Sequence, residues 1–250
     1  MFTEERYQII KGLLQEQSIV KMQDIVQLTG SSESTIRRDL SALEEEGVLI
    51  RVHGGAKRGY KLQAEPAMEI KSGLNRDDKH LIAKRAAAFV EEDDVIFLDA
   101  GSTTFEMIPF LQGKKVTVVT NGVPHASLLA DLKISTILLG GKIKLETKAI
   151  IGATCLRQLD DYRFNKVFLG MNGVDVEFGF TTPDIEEAAI KAKAIEHGAR
   201  KYVLVDESKF GVVTFSKVAE LADCDVISVN VSERKRKKLA EATTYWEAKI

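Results

Sequence analysis

Arg37 and Arg38 stand together on a short helical pattern, with Ser34, Thr35 and Ser41 beside them. Guanidinium and hydroxyl donors grouped in this way suit the phosphates and base edges of DNA. The flanking residues support that chemistry. Gly30 can close a preceding helix in the left-handed conformation. Ser31 or Ser32 can accept the free N–H groups at the start of the next helix. Ile36, Leu40 and Leu43 make an apolar stripe at helical spacing, and Gly47 ends it. A tight turn followed by a capped helix with a polar N-terminal half is the pattern of a helix-turn-helix. The plainer alternative is a small helical domain with solvated surface charges.

A second chemistry follows a series of β-branched runs. Leu98 leads into Asp99-Ala100-Gly101-Ser102-Thr103-Thr104, and Thr120 into Asn121-Gly122. Leu139 leads into Gly140-Gly141, Leu169 into Gly170-Met171-Asn172-Gly173, and Val205 into Asp206-Glu207-Ser208-Lys209. In open α/β sheets, ligands bind at the carboxyl ends of strands. The glycines allow close backbone approach. The hydroxyls of Ser102, Thr103 and Thr104 lie where a helix begins, which favours an anion. Thr120 and Asn121 add polar groups, and Lys209 adds a positive charge. Together the loops suggest a phosphorylated sugar or a similar small anion, although each alone is also what a turn or cap looks like. Glu186 and Glu187 are either first-turn charge on a helix dipole or carboxylates for sugar hydroxyls.

The elements needed to position these groups can be read along the chain. A first helix is expected over residues 3–16, with Thr3 as N-cap. An extended link over 18–22, a second helix over 23–29, a strand over 48–52 and a turn over 53–56 complete a winged helix-turn-helix over residues 1–57. Arg51, Lys57 and Arg58 fall on or after the wing, while Glu44, Glu45 and Glu46 lie at the far end of the third helix. Residues 58–75 are the expected linker. Residues 76–90 return to helical periodicity. Apolar strands follow over 95–98, 116–120, 135–139, 166–169, 201–205 and 226–229. Continuous apolar strands alternating with helices predict an α/β domain over 76–250, with a mostly parallel sheet covered on both faces. Arg234, Lys235, Arg236, Lys237 and Lys238 read as a solvated helix face.

The 250 residues are 44% hydrophobic and 29% charged, which fits a globular chain with a sizeable core. Apolar runs are too short for a bilayer span and the start is acidic, so a cytoplasmic setting is expected. The formal net charge of −2 confines any DNA contact to a local patch. Cys155 and Cys224 imply no disulfide framework. They and His53, His80, His125 and His197 lack metal-ligand spacing, so no metal or cofactor is expected. There is no nucleophile elbow and no GxxxxGK[ST] loop.

Ordered blocks across the chain resemble the DeoR family of bacterial transcriptional repressors. They are Ser34-Thr35-Ile36-Arg37-Arg38-Asp39-Leu40, Arg51-Val52-His53-Gly54-Gly55-Ala56, the strand-end loops quoted above, and Asp206-Glu207-Ser208-Lys209-Phe210-Gly211. The resemblance implies a winged helix-turn-helix joined to a sensor domain similar to ribose-5-phosphate isomerase. It implies operator contacts from Arg37 and Arg38; the DNA-facing set is Ser34, Thr35, Arg37, Arg38 and Ser41 on the helix, with Arg51 and His53 on the wing. It also implies an effector loop of Asp99, Gly101, Ser102, Thr103 and Thr104. Thr120, Asn121, Gly140, Gly141, Gly170, Asn172, Gly173, Glu187 and Lys209 would line the same cleft. Lys144 stands where many members carry arginine, keeping the charge without the bidentate fork, and Gly122 replaces a frequent serine.

Within the family the likeness is nearest to repressors of fructose operons in Gram-positive bacteria. That implies fructose 1-phosphate as the first effector candidate, with tagatose or other hexose phosphates next. The expected function is a homodimeric or homotetrameric repressor released from operator DNA by a phosphorylated sugar. The alternatives are an activator built from the same parts, or a sugar-phosphate isomerase with Glu187 as base and Lys209 as its partner.

Overall fold

A computed structural model describes residues 1–17, 19–59, 62 and 67–249. Helix α1 (Thr3–Glu16) starts at Phe2, whose N–H donates to Glu5 Oε2 at 2.9 Å. The cap is therefore a backbone-to-carboxylate bond, and Thr3, the expected N-cap, is already helical. Strand β1 (Ile19–Lys21) occupies the expected extended link, of which Ser18 lies outside the described residues. Helix α2 (Met22–Thr29) ends at Gly30, which adopts φ 62°. Helix α3 (Glu33–Glu45) begins at Ser32, whose Oγ accepts the Thr35 N–H at 3.2 Å.

Strands β2 (Leu49–Val52) and β3 (Gly55–Arg58) form an antiparallel hairpin, and β1 pairs antiparallel with β3. The reversal needs only His53 and Gly54. Gly55 and Ala56, expected in the turn, belong to β3. Gly54 supplies the positive φ of 79°. Gly55 carries no Cβ and so lets the Val20 carbonyl pack against it. Ile36, Leu40 and Leu43 from α3 are buried with Ile10, Leu14, Val20, Ile25, Leu49 and Ala56 in one core.

The connecting stretch was expected over 58–75; its residues 60, 61 and 63–66 lie outside the described residues. Helix α4 (Met68–Gly73) follows, anchored by the Met68 N–H to the Glu146 carbonyl at 2.9 Å. Next come α5 (Arg76–Ala87), β4 (Val95–Leu98), the single turn α6 (Ser102–Phe105), β5 (Thr117–Thr120), α7 (Val123–Asp131) and β6 (Ser135–Leu138). Strands β7 (Lys142–Lys144) and β8 (Ala149–Ile151) form a hairpin ahead of α8 (Ala153–Asp160), β9 (Phe164–Gly170), β10 (Gly173–Asp175), β11 (Gly179–Thr182), α9 (Ile185–His197) and β12 (Gly198–Leu204). The chain closes with β13 (Ser216–Ala219), β14 (Asp225–Ser228), α10 (Glu233–Ala240) and β15 (Tyr245–Glu247).

The main sheet has seven strands in the order β15-β14-β12-β9-β4-β5-β6, and every pairing in it is parallel. Six of these strands are those expected. The seventh, β15, was missed, as were the β7–β8 hairpin and a second sheet of order β10-β11-β13. Side chains alternate across the main sheet. On β4, Phe97 joins the core beneath α8 and α9, while Ile96 and Leu98 join the core beneath α5 and α7. Burial on both faces is the reason the strands are continuously apolar. The order reverses at β4: the chain runs outward through β5 and β6, then returns to the other side of β4 as β9. A crevice forms at such a switch point, beyond the carboxyl ends of the strands. No helix among the described residues is long and apolar enough to cross a membrane.

Candidate functional site

The crevice between β4 and β9 holds the main cleft. At its floor Asp99 Oδ2 accepts the Gly170 N–H at 3.1 Å and pairs with Lys191 Nζ, which also donates to the Gly170 carbonyl at 3.0 Å. Asp99 and Lys191 are both buried, so each charge is neutralised by the other. Gly101, Ser102 and Thr103 form one wall, with Asn121, Gly170, Asn172, Glu187 and Lys209 around the rest. These expected residues are therefore brought together by the switch point.

Other expected residues are not in the cleft lining. Thr104 is fully buried, and its hydroxyl bonds the Asp99 carbonyl at 2.5 Å and receives the Gly101 N–H at 3.0 Å. Thr120 is likewise buried and accepts the Gly122 N–H at 3.0 Å. Both hydroxyls lock turns. Gly140 donates its N–H to Gln158 Oε1 at 2.7 Å, and Gly141 packs against the Ile151 carbonyl. Gly173 is required because a Cβ there would meet the Val212 carbonyl. Lys144 lies in the next layer, 3.1 Å from both Asp184 and Glu187. Glu187 also accepts the Thr147 hydroxyl at 2.8 Å. Asp184 caps α9 through the Glu187 N–H, and these contacts hold its carboxyl below the usual range against the opposing effect of burial.

Sequence reasoning missed several cleft residues. Lys71, Asn75 and Lys79 come from α4, the turn after it and α5, and Thr147 comes from the β7–β8 hairpin; Asp206 and Ser208 belong to the strand-end loop already expected at the ligand edge. Lys79 is 4% exposed and donates to the Lys71 carbonyl. Burial lowers its pKa, partly offset by Asp206. Asp206 itself accepts Asn75 Nδ2 and the Ser208 N–H, each at 3.0 Å. Besides Lys191, which pairs with Asp99, the cleft presents three lysines, Lys71, Lys79 and Lys209, while its carboxylates already have donors. That is an arrangement for an anion carrying hydroxyl groups. A lysine in an apolar helical stripe, as Lys79 is with Ile82, Ala83 and Ala86, was the available signal. No group of three His, Cys, Asp or Glu among the described residues could hold a metal ion.

The DNA-facing candidates lie together on the winged helix. Ser34, Arg37 and Arg38 are exposed on α3, and Arg51 and His53 are exposed on the wing. Arg37 pairs with Glu33 one turn away. Arg51 joins wing to helix: its N–H donates to Glu44 Oε1 at 2.7 Å and its guanidinium to Ser41 Oγ at 2.5 Å. Thr35 and Ser41 are half-buried beside them.

Two family matches divide along this architecture. Residues 6–60 match the DeoR-like helix-turn-helix domain, and residues 74–230 match the DeoR C-terminal sensor domain. The chain is 50% identical over 234 residues to the uncharacterized HTH-type transcriptional regulator FruR of Bacillus subtilis, covering 93% of each chain. It is 32% identical over 242 residues to the lactose phosphotransferase system repressor of Staphylococcus epidermidis, covering 95% of this chain and 96% of that one. Among solved structures, ribose 5-phosphate isomerase A of Methanocaldococcus jannaschii matches with 22% identity and a TM-score of 0.41, over 54% of each chain. With both domains matched and full-length relatives named as regulators of transcription, this chain belongs to the DeoR family of DNA-binding transcriptional regulators.

Proposed function

We propose that this protein represses a sugar-catabolism operon and leaves its operator when a phosphorylated sugar, fructose 1-phosphate first among the candidates, fills the cleft. The observation that carries this is the set of three lysines, Lys71, Lys79 and Lys209, that line the same cleft as Ser102 and Thr103 at the switch point. The lysines supply charge for a phosphate, and Asn172 and Glu187 supply polar partners for sugar hydroxyls, while Asn121 braces the loop through the Ala100 N–H and the Ile150 carbonyl. The name of the lactose phosphotransferase system repressor supports sugar control. Glu187 is held by Lys144 and Thr147, which suits a ligand contact better than a free catalytic base.

On this reading residues 1–57 are the DNA-binding unit, 58–75 the connection and 76–250 the sensor. Two such chains in a cytoplasmic homodimer or homotetramer would set their α3 helices in successive major grooves, with Ser34, Thr35, Arg37, Arg38, Ser41, Arg51 and His53 toward the DNA. An effector shifts that arrangement only by its differential affinity for the two states. The test is fluorescence anisotropy on DNA from upstream of the protein's own gene, at fixed salt, with a panel of sugar phosphates. Release by one of them supports the proposal and names the ligand. Tighter binding would make the protein an activator or corepressor-dependent regulator. Specific binding that ignores the whole panel would overturn the sensor assignment.

A further inference from the structure

We propose that Arg58 is the positioning residue through which occupancy of the cleft reaches the DNA-binding unit. This rests on the sugar-phosphate function proposed above. Arg58 ends β3, where it is paired with Leu49 of the wing. Its side chain bridges the winged helix and the sensor. Nε and Nη2 donate to the Leu14 carbonyl at 2.9 and 2.6 Å, in the last turn of α1. Nη1 donates to the Gly211 carbonyl and lies 3.4 Å from Asp175 Oδ2, both in the sensor. One half-buried guanidinium therefore holds the end of the first helix, the wing and the sensor at once.

Gly211 is not a neutral anchor. It closes the loop that begins at Asp206, and Asp206, Ser208 and Lys209 of that loop line the cleft. Only Phe210 separates Lys209 from Gly211. The loop is short and stiff. Its Glu207–Lys209 segment is a 3-10 turn capped by the Asp206 carboxylate, and the Gly211 N–H is fixed to the Val174 carbonyl at 2.7 Å. Asp175, the second sensor contact of Arg58, is the next residue along. Gly211 also has φ 74°, a backbone conformation that side-chain-bearing residues adopt only with strain, so this turn favours glycine.

A phosphate that draws Lys209 inward turns this loop, and the Gly211 carbonyl has to move with it. A carbonyl displaced from a guanidinium N–H frees the winged helix to reorient relative to the sensor. Paired recognition helices tolerate little misalignment, because half-site spacing is fixed by the DNA. The bonded arrangement is then the DNA-competent one. Coupling of this kind is reciprocal and of modest size, typically 5- to 150-fold in affinity.

The experiment compares wild type, R58A, R58K and D175N. Operator affinity is read by anisotropy with and without saturating fructose 1-phosphate, and fructose 1-phosphate affinity is read by calorimetry without DNA. R58A should bind the operator about tenfold more weakly than wild type and lose nearly all response to fructose 1-phosphate, yet bind fructose 1-phosphate at least as tightly as wild type, because the contact that opposes the ligand is gone. R58K keeps the charge but cannot span three acceptors, so its response should fall well below that of wild type. D175N keeps the fold and all backbone contacts, and should lose about threefold of the response. If R58A or D175N is released by the same factor as wild type, the inference is overturned. If wild type itself ignores fructose 1-phosphate and the rest of the sugar-phosphate panel, the functional proposal fails and the inference falls with it. Full restoration by R58K would reduce Arg58 to a charge that balances Asp175, which also overturns it.

Discussion

The guanidinium of Arg6 on α1 grips both carboxylate oxygens of Asp39 on α3, Nε to Oδ2 at 2.6 Å and Nη2 to Oδ1 at 3.0 Å. Asp39 is 5% exposed and sits on the inner side of α3, which also buries Ile36, Leu40 and Leu43. Two parallel charge-assisted bonds fix direction as well as distance. The pair therefore sets the angle at which α3 leaves the body of the domain. Asp39→Asn keeps the shape but gives up an acceptor and the charge, and Asp39→Ala strands the guanidinium. Both should lower the melting temperature, Asp39→Ala by several degrees more, and weaken operator binding although neither residue faces DNA. Unchanged operator affinity in a folded Asp39→Ala variant would show that the angle of α3 is set elsewhere.

Arg37 and Arg38 are exposed on the outer side of the same helix and should behave in the opposite way. Replacing either with alanine leaves the core of Ile36, Leu40 and Leu43 untouched. Operator affinity should fall about tenfold or more for a lost base or phosphate contact, and the salt dependence should shallow by about one counterion if the contact is to phosphate. The melting temperature and calorimetric affinity for fructose 1-phosphate should stay at wild-type values. An Arg37→Ala, Arg38→Ala double variant with full operator affinity would remove α3 as the reading helix.

Lys79 gives the cleft a distinctive pH response. Burial favours its neutral amine, so it loses its proton at a lower pH than an ordinary lysine, which titrates at 10.5. A bound phosphate favours the ammonium and raises the value again. Effector binding should therefore take up protons in the interval between the two values, and affinity should fall as pH rises through the lowered one. Calorimetry in buffers of different ionisation enthalpy measures that uptake. Lys79→Met should abolish it and weaken fructose 1-phosphate binding by about tenfold or more, while leaving DNA binding intact. Proton uptake that persists in Lys79→Met would assign the phosphate to other groups.

The difference between what was legible and what was not follows from range. The stripe of Ile36, Leu40 and Leu43 is a periodic signal and the six apolar strands are continuous runs; each lies within one element, and such patterns survive without knowledge of the fold. Strand β15 is three residues long, and its place depends on Trp246 meeting Phe89 and donating to Asp225 Oδ2 at 2.9 Å. The loops after β4 and β9 could be assigned to one ligand edge because strand ends imply it. Which hydroxyl faces the ligand could not: Ser102 and Thr104 are alike in type, and only the turn geometry sends Thr104 inward to the Asp99 carbonyl. Lys191 and Arg58 were illegible for the same reason as Arg6. Their partners Asp99, Gly211 and Asp39 are distant in sequence, and nothing local marks them.

His125 makes acid sensitivity a local property of the loop after β4. Its ring is fully buried at the start of α7, with Nε2 3.1 Å from the Gly101 carbonyl and 3.3 Å from Thr104 Oγ1. The ring fits because position 122 has no Cβ, which would overlap Nδ1, and this gives Gly122 a physical reason where family members often carry serine. Nδ1 has no hydrogen-bond partner among the described residues. Burial lowers the pKa to about 4 from 6.5. Between those values the unfolded chain takes a proton that the folded chain refuses. The stability held above pH 6.5 is therefore lost progressively as pH falls toward 4, by roughly 3 kcal/mol at the lower limit. Urea denaturation at pH 7 and pH 4.5 should show this loss in wild type, and His125→Leu should remove most of it whatever its own starting stability. Equal losses in the two proteins would mean that His125 is solvated or already charged in the fold, and that the turn binding Gly101 to Thr104 is looser than its hydrogen bonds indicate.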